Sequence, residues 1–300
     1  MVFYRLYYTM RIGVSGCLSF DKIESPDFTI QSWGGIAYNL LTLSLHKDAE
    51  VYPITYVGLD LKESLFKLLP ENVSTECIRI SNATNRNTIH VLGENRYEFI
   101  TPYAPEISIE MLSCPGEMEL LMLNPVMGWE FSLDTIESID RVNSRIKMID
   151  VHNLTLGRHE SGRRYRISLD RKLVDTILKK FHIIQMNRKE YTSFTGKEFP
   201  EGLKDLPETT IFFITLASEG ATVVYDRRIE TFKPQRVFNQ DVIGAGDISG
   251  SIFALSFLST GDPFISCERT VRIMEHLEGN KLEEKIESIM QILIDTLKLK

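Results

Sequence analysis

The run Gly244-Ala245-Gly246-Asp247 sets three small residues directly before an acid. With little or no side chain there, a ligand can come close to the backbone N–H groups. The stretch that follows, "DISGSIFALSFL", reads as a helix. The first N–H groups of a helix lack intrahelical partners, and its dipole makes that end positive. Together these features suit an anion. Asp247 stands at the mouth of that site. It could cap the helix, which is worth about 1 kcal/mol, or accept a proton from a hydroxyl attacking the bound anion. Spacing leaves both open. No G-x-x-x-x-G-K-[ST] loop occurs, and G-A-G-D-I-S-G has one residue too many for a dinucleotide fingerprint. A nicotinamide-dependent oxidoreductase therefore rests on imperfect spacing alone.

Other residues of chemical interest lie upstream. Asp21, in "GCLSFD", could accept hydrogen bonds from two hydroxyls. Gly34, Gly35 and Asn39 stand in "GGIAYN", where Gly35 and Asn39 would share one face of a helix. Asn187 and Glu190 form N-x-x-E at a helix start, which taken alone is a capping arrangement. "TLASEG", Thr215 to Gly220, links two apolar runs. Asp150 ends the strand "RIKMID", where the ligands of an open sheet gather. "GRRYR", Gly162 to Arg166, is short, lies among polar residues and reads as a solvated loop. The six histidines do not cluster, and the four cysteines (Cys17, Cys77, Cys114 and Cys267) form no C-x-x-C pair.

The elements that must position these residues alternate. Strands are expected at 11–16, 50–58, 119–124, 145–151, 181–186, 210–215 and 221–226, and helices at 34–45, 60–69, 133–142 and 170–180. The last third reads as helical, with Leu282, Ile286, Ile289, Leu293 and Leu297 on one apolar face. This rhythm predicts an α/β, doubly wound, mainly parallel central sheet with helices on both faces. Two stretches break it: "FTIQSW" (28–33), and the runs "CIRI", "NTIHVL" and "RYEFIT" (77–101), the last two joined by "GEN". They predict a small antiparallel β lid, inserted at about 22–33 and 77–103 of one domain spanning 10–300. Residues 1–9 are expected to be an extension or an edge strand.

With 43% hydrophobic and 25% charged residues, the chain has an ordinary globular composition. Its net charge of -7 argues against a nucleic-acid partner, which needs a basic face. No apolar run is long enough for a membrane span. Scattered thiols without a recognisable signal peptide make the cytoplasm the expected location.

The ordered motifs resemble those of the ribokinase-like (PfkB-type) carbohydrate and nucleoside kinases. Gly16 with Asp21, Gly34-Gly35 with Asn39, "VGLD" at 57–60, Asn187 with Glu190, "TLASEG" at 215–220 and Asp241-Val-Ile-Gly-Ala-Gly-Asp247 follow the family's order. The resemblance implies an ATP-dependent kinase acting on a hydroxyl of a small sugar or nucleoside. Asp247 would be the base, and Gly244, Ala245 and Gly246 the anion hole. Asp21, Gly34, Gly35 and Asn39 would bind the acceptor. Asn187, Thr215, Ala217 and Gly220 would line the nucleotide site, with Glu190 holding Mg²⁺ through water. It also implies a homodimer through the lid, whose edge would expose Ile89, Val91, Tyr97 and Phe99. Three positions depart from the pattern: Val242 for a threonine, Ser249 for an aromatic residue and Ala217 for a glycine. They motivate a second reading, a ligand-binding or regulatory protein of the same fold with little or no turnover.

Overall fold

The computed structural model describes residues 9–92, 95–236 and 243–298. In chain order the elements are β1 (Met10–Gly16), β2 (Leu18–Glu24), β3 (Thr29–Gly35), α1 (Ala37–Ser44), β4 (Ala49–Gly58), α2 (Lys62–Leu68), β5 (Ile78–Ser81), β6 (Asn85–Leu92) and β7 (Asn95–Thr101). Next come α3 (Ile109–Leu112), β8 (Met118–Asn124), α4 (Leu133–Glu137), β9 (Ser144–Asp150), β10 (Leu156–Arg158), β11 (Arg164–Arg166), α5 (Arg171–Lys180), β12 (Ile183–Asn187) and α6 (Arg188–Thr195). The chain continues with β13 (Ile211–Thr215), β14 (Ala221–Tyr225), β15 (Arg228–Phe232), α7 (Ala245–Thr260), α8 (Pro263–Met274) and α9 (Leu282–Leu297).

The main sheet runs β15-β14-β13-β12-β9-β8-β1-β4-β5. All its pairings are parallel except β13 with β14 and β14 with β15. Its strands are apolar on both faces because both are covered by helices. In β13, for example, Ile211 and Phe213 join a core with α1, α7, α8 and α9, while Phe212 and Ile214 join the core beneath α5 and α6. Phe213 stacks on Phe253 of α7 with ring centroids 4.4 Å apart. Local chemistry sets the helix starts. Asp170 accepts from the N–H groups of Lys172 and Leu173 at the head of α5, and Asp262 does the same for α8, where Pro263 takes the first turn. The expected apolar face of α9 is buried along its whole length.

The second sheet, the lid, runs β3-β2-β6-β7. Its two antiparallel pairs are joined by a parallel pairing of β2 with β6. The hairpin β10-β11 docks beside β7 through a bridge between Phe99 and Arg163.

Several expectations are corrected. Gly34 and Gly35 end lid strand β3, and the helix begins only at Ala37, so Gly35 and Asn39 do not share a helix face. "CIRI" forms β5, which pairs in parallel with β4 at the margin of the main sheet and not in the lid. The lid edge is also less open than expected: Ile89 is buried and β7 is flanked by the β10-β11 hairpin. Cys77 and Cys114, expected as separate thiols, are joined in a disulfide, while Cys17 and Cys267 are free and buried. Residues 1–8, most of the "GEN" turn, Asp241 and Val242 lie outside the described residues. Among the described residues, no helix is long and apolar enough to cross a membrane.

Candidate active site

The carboxyl ends of the central strands bring the polar residues together. Asn124 ends β8, Asp150 ends β9, Asn187 ends β12 and Thr215 ends β13. Parallel register sets Asn187 beside Thr215 and Asp150 beside Gln185. This is the rim where an open α/β sheet binds its ligands. The amino end of α7 meets the same rim.

Gly244 caps α7 in the left-handed region, with φ 83°. A side chain there would be strained, and a Cβ would also meet the Tyr38 ring at 2.6 Å. Asp247 is thus the third residue of α7 and is buried, 8% exposed. The amide of Asn124 donates to Asp247 Oδ1 at 2.6 Å and to Asn39 Oδ1 at 2.9 Å. Asn39 in turn donates to the Asp247 carbonyl at 3.0 Å and to Ser251 Oγ at 3.1 Å. The Asn39 amide hydrogens, which the resemblance assigned to the acceptor, are therefore engaged in tying α1 to α7. Gln185 fixes the next turn by donating to the Gly246 carbonyl at 2.8 Å. Ser249, one of the departures, donates to the same carbonyl at 2.8 Å.

Asn124 and Gln185 were missed in the sequence. Their one local signal is a polar residue inside or closing an apolar strand, where burial without a partner is costly.

Asn187 and Glu190 form a reciprocal capping box at the head of α6. Asn187 Oδ1 accepts from the Glu190 N–H at 2.9 Å, and Glu190 Oε2 accepts from the Asn187 N–H at 2.7 Å. Glu190 is buried and lies near Asp150. Burial, then Glu190 and Asp247, push the Asp150 carboxyl well above the ordinary carboxylate range. Among the described residues, no group of three or more His, Cys, Asp or Glu side chains is placed to coordinate a metal directly. Crowded hard-oxygen donors nevertheless suit Mg²⁺ held through water.

The Thr215–Gly220 segment turns from β13 into β14, as expected. Ala217 adopts φ 52°, the left-handed conformation that a glycine would take there without strain. Arg188, at the start of α6, pairs with Glu219 of this turn at 3.0 Å.

The lid supplies the opposite wall. Asp21 lies on β2 beside Ser32 and Asn87, and a Cβ at Gly34 would meet Asp21 Oδ2 at 1.9 Å. Only glycine lets Asp21 lie flat across β3. The "GRRYR" segment is not a solvated loop. It forms part of β11, and Arg164 is 8% exposed, with Nη2 donating to the carbonyls of Asn153 and Leu156.

No protein-family model matches the chain, and no curated protein matches it. Solved structures do. A sulfate complex of a pyrophosphate-dependent kinase in the ribokinase family superposes with TM-score 0.76 at 19% identity, over 93% of this chain and 100% of that one. Arabidopsis thaliana ribokinase complexed with ribose and ATP gives 0.73 at 12% identity, over 97% and 100%. A Burkholderia thailandensis nucleoside kinase in complex with inosine gives 0.70 at 14% identity, over 95% and 97%. The chain has the fold of the ribokinase-family kinases.

Proposed function

We propose that the protein is a kinase that transfers a phosphoryl group from ATP to a hydroxyl of a small sugar or nucleoside. The observation that carries this reading is the placement of Asp247. Its carboxylate is buried, held by Asn124 at 2.6 Å, and set at the positive end of α7 on the sheet rim that the lid faces.

Asp247 accepts the proton of the acceptor hydroxyl as that oxygen attacks the terminal phosphorus, a contribution of roughly 10²–10⁴ in rate. The bond from phosphorus to the donor's bridging oxygen breaks as the new one forms. The N–H groups of Gly244, Ala245 and Gly246 face the charge on the transferring group, and positioning with charge stabilisation is most of what such a reaction needs. Asn124 orients the Asp247 carboxylate, and Gln185 and Ser249 hold the turn beneath the anion. Thr215, Ala217 and Gly220 flank the donor, with Asn187 at its phosphates. Glu190 and Asp150 are the residues that would hold Mg²⁺ through water, and the ion would supply neutralising charge at the phosphate oxygens. Asp21 and the Gly34-Gly35 turn meet the acceptor. A homodimer through the lid, by its β3 edge, completes the proposal.

A pyrophosphate-dependent enzyme among the similar folds makes pyrophosphate the donor to test beside ATP. The test is product formation with each donor, Mg²⁺ and a panel of sugars and nucleosides. Binding without product across the panel would favour the second reading, a ligand-binding protein of this fold. Two of the three departures speak against that reading. Ser249 keeps a hydrogen bond to the active turn, and Ala217 keeps the backbone conformation of a glycine.

A further inference from the structure

A band of polar side chains crosses the face of the lid that looks toward the sheet rim. Register sets Ser32 beside Asp21 and Asp21 beside Asn87. Next to Ser32 and Asp21 along their strands, Gly34 and Ser19 pair in the same way. On β7, Glu98 stands opposite Ile89. The Phe99–Arg163 bridge extends the lid into β11, and Glu98 lies close enough to Arg164 to act on its charge. Arg164 closes the band from that side. Its guanidinium packs over Trp129 at 5.3 Å and against Gly128, in the loop that follows Asn124.

Three of these residues, Ser19, Asn87 and Arg164, are buried but incompletely bonded. Among the described residues, Arg164 Nε and Nη1, Asn87 Oδ1 and Ser19 Oγ have no hydrogen-bond partner. Arg164 and Asn87 are more than nine-tenths buried, and Ser19 almost completely so. Each orphaned group costs about 1–3 kcal/mol, and a charged one more. Such atoms on one face of the lid, with Arg164 packed on the loop that follows β8, are accounted for by a ligand that bonds to them.

The chemistry of the band narrows that ligand. Hydroxyl and amide oxygens accept, and the guanidinium donates. A ring hydroxyl does both, so adjacent hydroxyls can satisfy the two sides together. Bearing on the Arg164 charge are two acids, Glu98 and Glu130, and two further cations, Arg158 and Arg166. Among the described residues, this face of the lid offers no aromatic ring on which a planar base could stack. The apolar positions of this face are Ile23, Ile30, Ile89, Val91 and Ile100, while the alternation of the strands turns Phe20, Trp33 and Phe99 to the other face. Trp129 is covered by the guanidinium groups of Arg158 and Arg164.

We infer that Arg164 and Asn87 are acceptor-binding residues and that the acceptor is a polyol, a sugar or cyclitol, with nucleosides disfavoured. This rests on the kinase reading for the word acceptor, but the binding it describes does not need turnover. The experiment is calorimetric titration without a phosphoryl donor, using myo-inositol, ribose, fructose, gluconate and inosine, on the wild type, Arg164→Met and Asn87→Leu. Thermal unfolding of each variant reports its fold, and Asn87→Leu decides if Arg164→Met does not fold. At least one of the four polyols is expected to bind about tenfold or more tighter than inosine. Each folded variant should weaken it by a further factor of about ten, the worth of one or two hydrogen bonds. Tightest binding of inosine, no binding by any of the four polyols, or unchanged polyol affinity in Asn87→Leu would overturn the inference. Polyol binding that depends on Asn87 and Arg164 but yields no phosphorylated product would sustain it and refute only the kinase reading.

Discussion

Asn124 donates one amide group to two acceptors, Asp247 Oδ1 and Asn39 Oδ1, and so links the end of β8 to α7 and α1. The contact orients the carboxylate without restraining the acceptor. Asn124→Leu is therefore expected to lower kcat by about a hundredfold, within the range for losing a well-placed proton acceptor, with KM for the acceptor little changed. Steady-state kinetics on the purified variant check this. A large rise in KM with unchanged kcat would instead place Asn124 in acceptor binding.

Asp150 carries a cost in the free protein. Its carboxyl is raised by burial first, then by Glu190 and Asp247. The native state therefore holds that proton to higher pH than the unfolded chain does. Its contribution to stability is fully present below the ordinary aspartate pKa of about 3.9 and is lost as pH rises through the raised native value. Asp150→Asn should flatten this decline, raising the unfolding midpoint near neutral pH while lowering turnover. Unfolding midpoints measured from pH 4 to pH 9 on both proteins, without Mg²⁺, test the sign.

Ala217 holds a backbone conformation suited to glycine, with φ 52°, at an exposed turn. Relieving it gains about 1 kcal/mol in the native state, part of which is offset by the freer unfolded chain. Ala217→Gly is expected to stabilise the protein by roughly 0.5 kcal/mol, and Ala217→Val to destabilise it by more than about 1 kcal/mol. Denaturant titration distinguishes the two.

The Cys77–Cys114 disulfide spans 37 residues and brackets β5, β6 and β7. Closing a loop of this size is worth about 4 kcal/mol. Cys114→Ser should cost about that much stability, seen by denaturant titration without reductant. Intact mass after alkylation of the unreduced, unfolded protein should show two modified thiols, Cys17 and Cys267. Four modified thiols would show that the bridge does not form.

What could be read in the sequence was local. Gly244 to Asp247 announces itself because small residues, an acid and an apolar helix are contiguous. The strands of the main sheet are long apolar runs separated by helical periods. Asn124, Asn87 and Arg164 carry no such signal, because packing and register between segments distant in sequence make them neighbours of Asp247, Asp21 and Glu98. Gly34 and Gly35 were placed in a helix because two glycines before an apolar period look like its opening. Cross-strand pairing with Ser19 and Leu18 kept them in β3. "CIRI" was assigned to the lid by its neighbours in sequence, whereas its partner, β4, lies some twenty residues earlier.

The most direct measurement is phosphoryl transfer by Asp247→Asn beside the wild type, with donor binding followed separately by calorimetry. The wild type should phosphorylate at least one acceptor of the panel. The variant should lose at least about a hundredfold in kcat, as expected for removing a general base, while folding and binding donor as before. Near-wild-type turnover in Asp247→Asn would contradict the role of Asp247 as the base.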